Sequence, residues 1–180
     1  MAVYDTTPVE PDDTRSGFRS GVRALDEYFS RHANANEVSG VGRTYVLRRA
    51  ATDDPALPRV LGFYTLSMAL IESTQATAVL RTKLPRYPLP VALVGRLAVD
   101  ERARGQRLGE RLLLDALRRV VDVADHIGCV GVIVDAKDER ALGFYERYDF
   151  VAVQDEGWPR RMFMPIATAR AALVEPDATP

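Results

Sequence analysis

Residues 99–109 read VDERARGQRLG and lie between an apolar run and a long amphipathic stretch. The run before them, Val91–Val99 (VALVGRLAV), is almost continuously apolar, as expected of a central strand covered on both faces. After them, residues 108–127 carry apolar side chains at helical spacing, and Gly128 suits the end of such a helix. The N–H groups that open a helix lack intrahelical partners and carry partial positive charge. Because glycines let that backbone approach an anion, the turn is suited to a pyrophosphate. The alternative is a basic, solvated turn in which the glycines serve geometry alone.

The segments around this turn predict an α/β (α+β) fold in which strands alternate with helices after an initial hairpin. The predicted strands are residues 44–49, 60–71, 91–99, 129–134 and 162–166, and the predicted helices are residues 22–32, 33–39, 108–127 and 139–148. Both ends are polar and contain prolines. We therefore expect loose tails over residues 1–13 and 169–180, on either side of one domain over residues 14–168.

The composition excludes several classes of protein. The 180 residues carry a net charge of −1, which argues against a wholesale electrostatic grip on nucleic acid. Two histidines and one cysteine predict no thiolate or imidazole metal site and no internal disulfide. The chain contains no apolar run of membrane-spanning length and no signal-peptide pattern at its start, so we expect a cytoplasmic protein without a membrane partner.

The turn resembles the acetyl-CoA signature of the GNAT superfamily of N-acetyltransferases, [Q/R]-x-x-G-x-[G/A]. Arg104 stands at its first position and Gly109 at its last, whereas Arg107 stands where a glycine is usual. The resemblance implies a mixed, mostly antiparallel sheet of about six to seven strands with helices on both faces, and acetyl-CoA as cosubstrate. It also implies that the cosubstrate is bound by Leu97, Ala98, Val99, Arg104, Gly105, Gln106, Arg107, Leu108, Gly109 and Glu110.

Residues 141–150, ALGFYERYDF, resemble the A-x-x-F-Y-x-x-x-G-F segment of the same superfamily. Asp149 replaces the usual glycine, at a position expected to need a positive φ, which aspartate tolerates better than most residues. The resemblance implies that Tyr145 lies near the thioester sulfur, where a phenol can donate a proton to the departing thiolate. The alternative is a core tyrosine packed beside Phe144.

A broader resemblance, to the acetyltransferase toxins of bacterial toxin–antitoxin systems, covers nearly the whole chain. It includes LDEYF at residues 25–29, GRTYV at 42–46, GFYTL at 62–66 and GRLAVD at 95–100. This resemblance implies that the toxin acetylates the α-amine of an aminoacyl-tRNA and thereby blocks translation. It also implies a small DNA-binding antitoxin partner and a homodimer. The basic residues that could hold the RNA backbone are Arg43, Arg81, Lys83, Arg86 and Arg96, and the alternative is an ordinary solvated surface.

The chemistry of the acceptor mildly favours an α-amine. A lysine amine is neutral in roughly one molecule in 2,500 at pH 7, whereas an α-amine is neutral in about one in seven, so a lysine needs a dedicated base more urgently. The sequence offers no clear carboxylate or histidine base. Two alternatives stay open: a GNAT acetyltransferase of a small-molecule or protein amine, and a non-catalytic module that binds coenzyme A or a partner, in which Arg107 and Asp149 mark decay of the site.

Overall fold

The computed structural model describes residues 5–154 and 156–174. The strands are β1 (Thr7–Pro8), β2 (Arg43–Arg48), β3 (Val60–Ile71), β4 (Leu89–Val99), β5 (Gly131–Ala136), β6 (Val151–Ala152) and β7 (Arg160–Pro165). The helices are α1 (Pro11–Thr14), α2 (Arg23–Arg31), α3 (Ala33–Ser39), α4 (Ser73–Leu80), α5 (Leu108–Ala124), α6 (Glu139–Glu146) and α7 (Ile166–Leu173), with a 3-10 turn at Glu101–Ala103. No helix in these described ranges is both long and apolar enough to span a membrane.

The strands form one sheet in the order β1-β2-β3-β4-β5-β7-β6. The pairs β1–β2, β2–β3, β5–β7 and β6–β7 are antiparallel. The pair β4–β5 is parallel and joins Ala92–Val94 to Val132–Val134. The mixed, mostly antiparallel sheet predicted from the sequence is therefore confirmed.

The chain forms two compact units, and the first contains the described residues up to Ser67 together with Gly95–Ala116. Its core is an aromatic cluster in which the rings of Phe29 and Phe63 stack with centroids 4.6 Å apart. Gly62 lets β3 pack closely against its neighbours, because a Cβ there would lie 2.7 Å from Leu112 Cδ1 and 2.8 Å from the carbonyl oxygen of Ala98. This close packing sets the position of the start of α5 relative to the end of β4.

The second unit contains Met68–Val94 and the described residues from Leu117 onward. Its central strand is β5, whose residues Val132, Ile133 and Val134 are fully buried, as the apolar run in the sequence predicts. Helix α4 covers this core through the buried side chain of Ala76. Phe163 of β7 packs in the same cluster, so the parallel and antiparallel neighbours of β5 share one core.

The structure corrects the predicted N-terminal tail. Residues 7–8 form β1 on the edge of the sheet, and residues 11–14 form α1. Asp13 is fully buried and accepts hydrogen bonds from Arg48 Nε at 2.9 Å and from Arg59 Nε at 3.3 Å. Composition alone is misleading here, because a polar residue held by two arginines can be as buried as an apolar one. Met1–Tyr4 lie outside the described residues.

The predicted C-terminal tail is corrected in the same way, because α7 extends through residues 169–173. Ala169 on this helix is fully buried, which ties the segment to the rest of the second unit. Arg170 forms an ion pair with Asp125. The last residues of the expected tail, Glu175–Pro180, lie outside the described part of the chain.

Candidate functional site

The turn after β4 is organised around the carboxylate of Asp100, which is fully buried. This carboxylate accepts hydrogen bonds from the backbone N–H of Arg19 at 2.9 Å and from that of Arg102 at 3.0 Å. The guanidinium of Arg102 donates to it from Nε and Nη2, each at 2.8 Å. Burial tends to raise the pKa of Asp100, but these hydrogen bonds outweigh it and hold the pKa below its ordinary value. Asp100 therefore stays ionised at neutral pH and fixes the turn.

The arginines of the turn differ in what they already bind. Arg102 is held by Asp100 and also donates to the carbonyl of Gly17 at 2.9 Å, so its charge is largely neutralised within the protein. Arg104 donates from Nη2 to the carbonyl of Ser20. Arg107, by contrast, has a side chain that is 87% exposed and pairs with Glu110 at 3.3 Å. Arg107 thus keeps a guanidinium that a ligand can reach, since its ion pair is exposed and of the kind that contributes little.

Two residues of the turn have left-handed backbones. Gly105 has a φ of 84° and Arg107 has a φ of 54°. The left-handed region costs a non-glycine residue roughly 1–2 kcal/mol. Arg107 occupies the position where the acetyl-CoA signature usually has glycine, and it retains the type of backbone conformation that glycine favours. Arg107 therefore adds a cation to the turn while its own backbone is left-handed.

Helix α5 begins directly after the turn and is anchored by its first apolar residues. Leu108 is buried, and Leu112 and Leu113 are fully excluded from solvent. Gly109 and Glu110 are only partly buried, so the opening turn of the helix keeps a surface that a ligand can reach. The amides of such a first turn, with their partial positive charge, form a site for an anion.

The strand before the turn supplies the other predicted contacts. Ala98 is buried in the aromatic cluster of the first unit, whereas Leu97 and Val99 are half-buried. The N–H of Asp100 donates to the carbonyl of Leu61 at 2.9 Å, which secures the end of the strand. The structure thus places the ten residues predicted to bind the cosubstrate on one strand–turn–helix segment of the first unit.

Tyr145 belongs to the second unit and lies on α6. Its side chain is 9% exposed and packs edge-on against the rings of Phe144 and Phe150, with centroids 5.2 and 5.5 Å away. Burial, and secondarily the charge of Asp135, raise the pKa of Tyr145 to about 12. Among the described residues, its hydroxyl has no hydrogen-bond partner. It does not belong to the side-chain polar atoms there that are both unpartnered and completely buried. The phenol is therefore protonated at neutral pH.

The ends of α6 determine where Tyr145 lies. Asp138 caps the helix by accepting a hydrogen bond from the N–H of Ala141 at 2.8 Å. Beyond the helix, the N–H of Phe150 donates to the carbonyl of Tyr145 at 3.2 Å. Asp149, which directly precedes Phe150, has a φ of 62°, so the predicted positive φ at this position is confirmed. This left-handed residue turns the chain back over the helix end.

Three of the predicted basic residues lie together in the second unit. Arg81 ends α4 with a φ of 51°, and Lys83 and Arg86 follow in the loop before β4. All three side chains are exposed, and no acidic side chain among residues 5–154 and 156–174 pairs with them. Three unpaired cations within six residues form a local positive surface on a chain of almost neutral net charge.

The other two predicted basic residues belong to the first unit and each already has a partner. Arg43 forms an ion pair with Glu37, in which Nη1 lies 2.7 Å from Oε1. The guanidinium of Arg96 lies over the ring of Tyr28, with Cζ 3.8 Å from the ring centroid. Arg96 nevertheless remains exposed.

Sequence reasoning missed two structural partners of these sites. It included Asp100 in the motif without seeing that its carboxylate takes up the charge of Arg102. It also missed Tyr28 as the support of Arg96. The stacking of Arg96 on Tyr28 has no local signal, because the two residues are distant along the chain. Asp100 and Arg102 are only two residues apart, and their opposite charges are the local signal that could have indicated the pair. Among the described residues, no group of three or more His, Cys, Asp or Glu side chains is arranged to hold a metal ion.

Comparison with known proteins identifies relatives across most of the chain. The sequence model of the acetyltransferase (GNAT) domain matches residues 73–160. A tRNA-acetylating toxin of Mycobacterium tuberculosis is 39% identical over 141 residues, which cover 78% of this chain and 80% of that protein. A Sinorhizobium fredii protein named "Probable toxin TacT" is 30% identical over 175 residues, which cover 92% and 93%.

Solved structures agree with these sequence relatives. AtaT complexed with acetyl-methionyl-tRNAfMet has a TM-score of 0.78 and 26% identity, covering 94% of this chain and 98% of that one. AtaTR bound with acetyl-CoA has a TM-score of 0.76 and 26% identity, covering 94% and 99%. On the identity and coverage of these relatives, the chain belongs to the GNAT family of acetyltransferases.

Proposed function

We propose that this protein transfers the acetyl group of acetyl-CoA to the α-amine of an aminoacyl-tRNA and so acts as a toxin that inhibits translation. The observation that carries the proposal is the 39% identity, over 78% of the chain, to a tRNA-acetylating toxin. The likeness to AtaT, solved with an acetylated aminoacyl-tRNA, supports the same acceptor class.

The strand–turn–helix segment of the first unit is the proposed site of acetyl-CoA. The pyrophosphate would lie at residues 104–110, because this turn combines the first amides of α5, the open backbone at Gly105 and the exposed guanidinium of Arg107. Among the described residues, no atom lies within 4 Å of where a Cβ on Gly105 would be, apart from those of its own chain neighbours. The backbone of Leu97, Ala98 and Val99 would pair with the amides of the pantetheine arm.

Tyr145 is the proposed catalytic residue. Acetyl transfer forms a bond from the acceptor nitrogen to the acetyl carbon and breaks the carbon–sulfur bond, so negative charge develops on the sulfur. A phenol with a pKa of about 12 donates a hydrogen bond to that sulfur without losing its proton in the resting enzyme. Full transfer of the proton to a thiolate is uphill by about 3 to 4 pKa units if the coenzyme A thiol resembles a cysteine thiol. Tyr145 therefore acts mainly by stabilising the departing thiolate.

An α-amine acceptor suits a site that stabilises the leaving group in a chain whose sequence offers no clear carboxylate or histidine base. The fraction of neutral α-amine at pH 7 is about one in seven, and the adjacent ester lowers the amine pKa further. The acceptor proton can then pass to water after the amide bond forms. A lysine amine is almost always protonated at pH 7, so a lysine acceptor would need the protein to remove a proton from the amine in far more encounters than an α-amine would.

The exposed cations of the second unit are the proposed contacts for the RNA backbone. Arg81, Lys83 and Arg86 have no acidic partner among the described residues, so no ion pair there has to break before they bind a phosphate. Arg43 is the proposed backbone contact in the first unit, and Arg96 is a second residue there that we propose contacts the RNA. Lysine and arginine side chains bind phosphates through charge, and binding releases counterions.

The family resemblance also leads us to propose a small DNA-binding antitoxin and a homodimer as assembly partners. A protein that acetylates aminoacyl-tRNA would act in the cytoplasm, where charged tRNA meets the ribosome. The experiment that tests the proposed function is incubation of the protein with labelled acetyl-CoA and bulk charged tRNA. Label on the aminoacyl group supports it, and label only on a small-molecule or protein amine refutes it.

A further inference from the structure

We propose that the guanidinium of Arg96, stacked on Tyr28, is a platform on which an unpaired nucleobase at the 3′ end of the acceptor RNA stacks. The inference rests on the proposed function and specifies how the acceptor is held. Sequence-specific and single-stranded RNA contacts commonly place a splayed base on an aromatic ring or on the plane of an arginine guanidinium. The Tyr28–Arg96 pair combines these two elements at the surface of the first unit.

The geometry of the pair is that of a close cation–π stack. Arg96 Cζ lies 3.8 Å from the centroid of the Tyr28 ring, well inside the range of about 6 Å over which such contacts are favourable. Tyr28 is 5% exposed, whereas Arg96 is an exposed residue. The tyrosine therefore serves as the buried support, and the guanidinium remains reachable from solvent.

The tyrosine is fixed by contacts on both its ring and its hydroxyl. Its ring stacks on Phe63 at an interplanar angle of 24°, within the aromatic cluster of the first unit. Its hydroxyl lies 3.1 Å from Thr44 Oγ1. The N–H of Thr44 donates to Glu37 Oε2 at 2.9 Å, and Arg43 holds the other oxygen of Glu37 at 2.7 Å. A platform held this firmly loses little conformational freedom when a ligand stacks on it.

The charge of Arg96 has no competing partner in the described part of the chain. No carboxylate in that part pairs with its guanidinium, whereas Glu37 pairs with Arg43 and Asp100 pairs with Arg102. Arg96 also directly precedes Leu97, the first residue of the strand segment proposed to bind the pantetheine arm. A base on this platform would thus hold the 3′ end, which carries the aminoacyl ester, beside the segment that carries the acetyl donor.

The first test is kinetic and uses Arg96→Lys, which keeps the charge but removes the flat guanidinium. We expect the KM for charged tRNA to rise about tenfold, the scale of losing one stacked base, with kcat unchanged. The salt dependence of tRNA binding should keep its slope, because no phosphate contact is lost. The KM for acetyl-CoA and the rate with an amino acid methyl ester, which has no base, should not change. Arg23→Lys, at an exposed arginine paired with Glu27, is the matched control.

Other kinetic outcomes overturn the inference. If Arg96→Lys equals wild type while Arg96→Gln is impaired, Arg96 contacts a phosphate by charge and does not stack. If both variants equal wild type, the Tyr28–Arg96 pair is only structural. If the methyl ester is affected as strongly as charged tRNA, Arg96 acts on the amine or on acetyl-CoA.

The second test does not depend on catalysis. A short single-stranded RNA with 2-aminopurine at its 3′ end loses fluorescence when that base stacks. We expect wild-type protein to quench the probe, Arg23→Lys to quench it equally, and Arg96→Lys to quench it much less. Quenching without acetylation of charged tRNA would refute the proposed function and leave the platform standing. Acetylation of charged tRNA without quenching would refute the platform alone.

Discussion

Asp100 holds the guanidinium of Arg102 through two hydrogen bonds of 2.8 Å, from Nε to one carboxylate oxygen and from Nη2 to the other. This bidentate pair is the strongest type of arginine–carboxylate contact, and it neutralises the arginine nearest to the strand. The anion-binding capacity of the turn therefore depends on the amides that open α5, with Arg107 as the exposed cation beside them.

Replacing Arg107 by glycine should separate its two effects. We expect Arg107→Gly to change the free energy of unfolding by less than about 1 kcal/mol, since relief of the left-handed backbone at φ 54° is opposed by the greater freedom of glycine in the unfolded chain. Affinity for acetyl-CoA should fall about threefold to tenfold, because one exposed charge is lost. Urea unfolding and calorimetry measure the two quantities. Unchanged affinity would show that Arg107 does not contact the cosubstrate.

The placement of the pyrophosphate is tested more severely at Gly109. We expect Gly109→Glu, which introduces bulk and negative charge into the first turn of α5, to weaken acetyl-CoA binding at least tenfold, or about 1.4 kcal/mol. Ala35→Glu adds the same side chain on the exposed surface of α3 and is the control. A folded Gly109→Glu protein that binds acetyl-CoA as wild type does would remove the pyrophosphate from this turn.

The hydroxyl of Tyr145 should matter for turnover and not for binding. We expect Tyr145→Phe to lower kcat by roughly 10² while acetyl-CoA affinity and fold are retained. Because burial raises the pKa of Tyr145 to about 12, wild-type kcat should show no loss from ionisation of this group up to about pH 10.5. Tyr148→Phe, in the turn just beyond the end of α6, is the control. Tyr145 is only a packing residue if its phenylalanine variant turns over at the wild-type rate.

The buried carboxylate of Asp13 should stabilise the N-terminal segment. Removing its charge leaves Arg48 and Arg59 without their shared partner, so we expect Asp13→Asn to lower the free energy of unfolding by about 2 to 3 kcal/mol at pH 7. The neighbouring Asp12, which is exposed, provides the control Asp12→Asn, for which we expect almost no change.

The stability difference between wild type and Asp13→Asn should depend on pH, and the lowered pKa of Asp13 gives the direction of that dependence. Burial acts to raise the pKa of Asp13, but hydrogen bonds from Arg48, the backbone of Glu10 and Arg59 hold it below its ordinary value of 3.8. A carboxyl whose pKa is lower in the folded state stabilises above the unfolded pKa and loses that effect as pH falls through the folded pKa. The difference between wild type and Asp13→Asn should therefore shrink below about pH 4. A difference that is constant from pH 7 to pH 3 would contradict the ion pair.

The RNA-binding role of the basic loop is tested through salt. We expect the joint change of Arg81, Lys83 and Arg86 to alanine to flatten the log–log salt slope of tRNA binding by about two to three units, if all three contact phosphates. Binding of acetyl-CoA should remain intact. The joint change of Arg15, Arg23 and Arg31, which are exposed arginines of the first unit, removes the same total charge and should leave the slope nearly unchanged. Equal flattening by both triple variants would mean that net charge alone, and no localised contact, governs binding.

The elements predicted correctly from the sequence are those with a strong period. Helix α5 repeats its apolar residues over 17 positions, and β5 is buried along most of its length, so both have patterns that few other structures share. Short elements carry no such pattern. The strands β1 and β6 have two residues each, and α4 (STQATAVL) has weak amphipathicity, so none of the three was predicted.

In the candidate site, too, some features could be predicted from the sequence and others could not. The left-handed residue at position 149 followed from one substitution in a recognisable motif, because a positive φ restricts which residues are tolerated. The partner of Arg96 did not follow, because Tyr28 is distant from it along the chain. The pair of Asp100 and Arg102 did not follow either, because their spacing alone does not show that the Asp100 carboxylate is buried and faces the guanidinium. The sequence therefore indicated which segments carry the chemistry, and the structure was needed to show which cations within them are already bound.

The central claim is that the acceptor is the α-amine of an aminoacyl-tRNA, and the aminoacyl group itself provides its most direct test. Bulk charged tRNA is incubated with labelled acetyl-CoA and the protein, digested to aminoacyl-adenosines and analysed by mass spectrometry, with Tyr145→Phe in parallel. We predict that at least one aminoacyl-adenosine gains an acetyl group on its α-nitrogen, at a rate roughly 10² lower for the variant. An absence of acetylated aminoacyl-adenosine, together with transfer of label to a small-molecule or protein amine, would contradict the account.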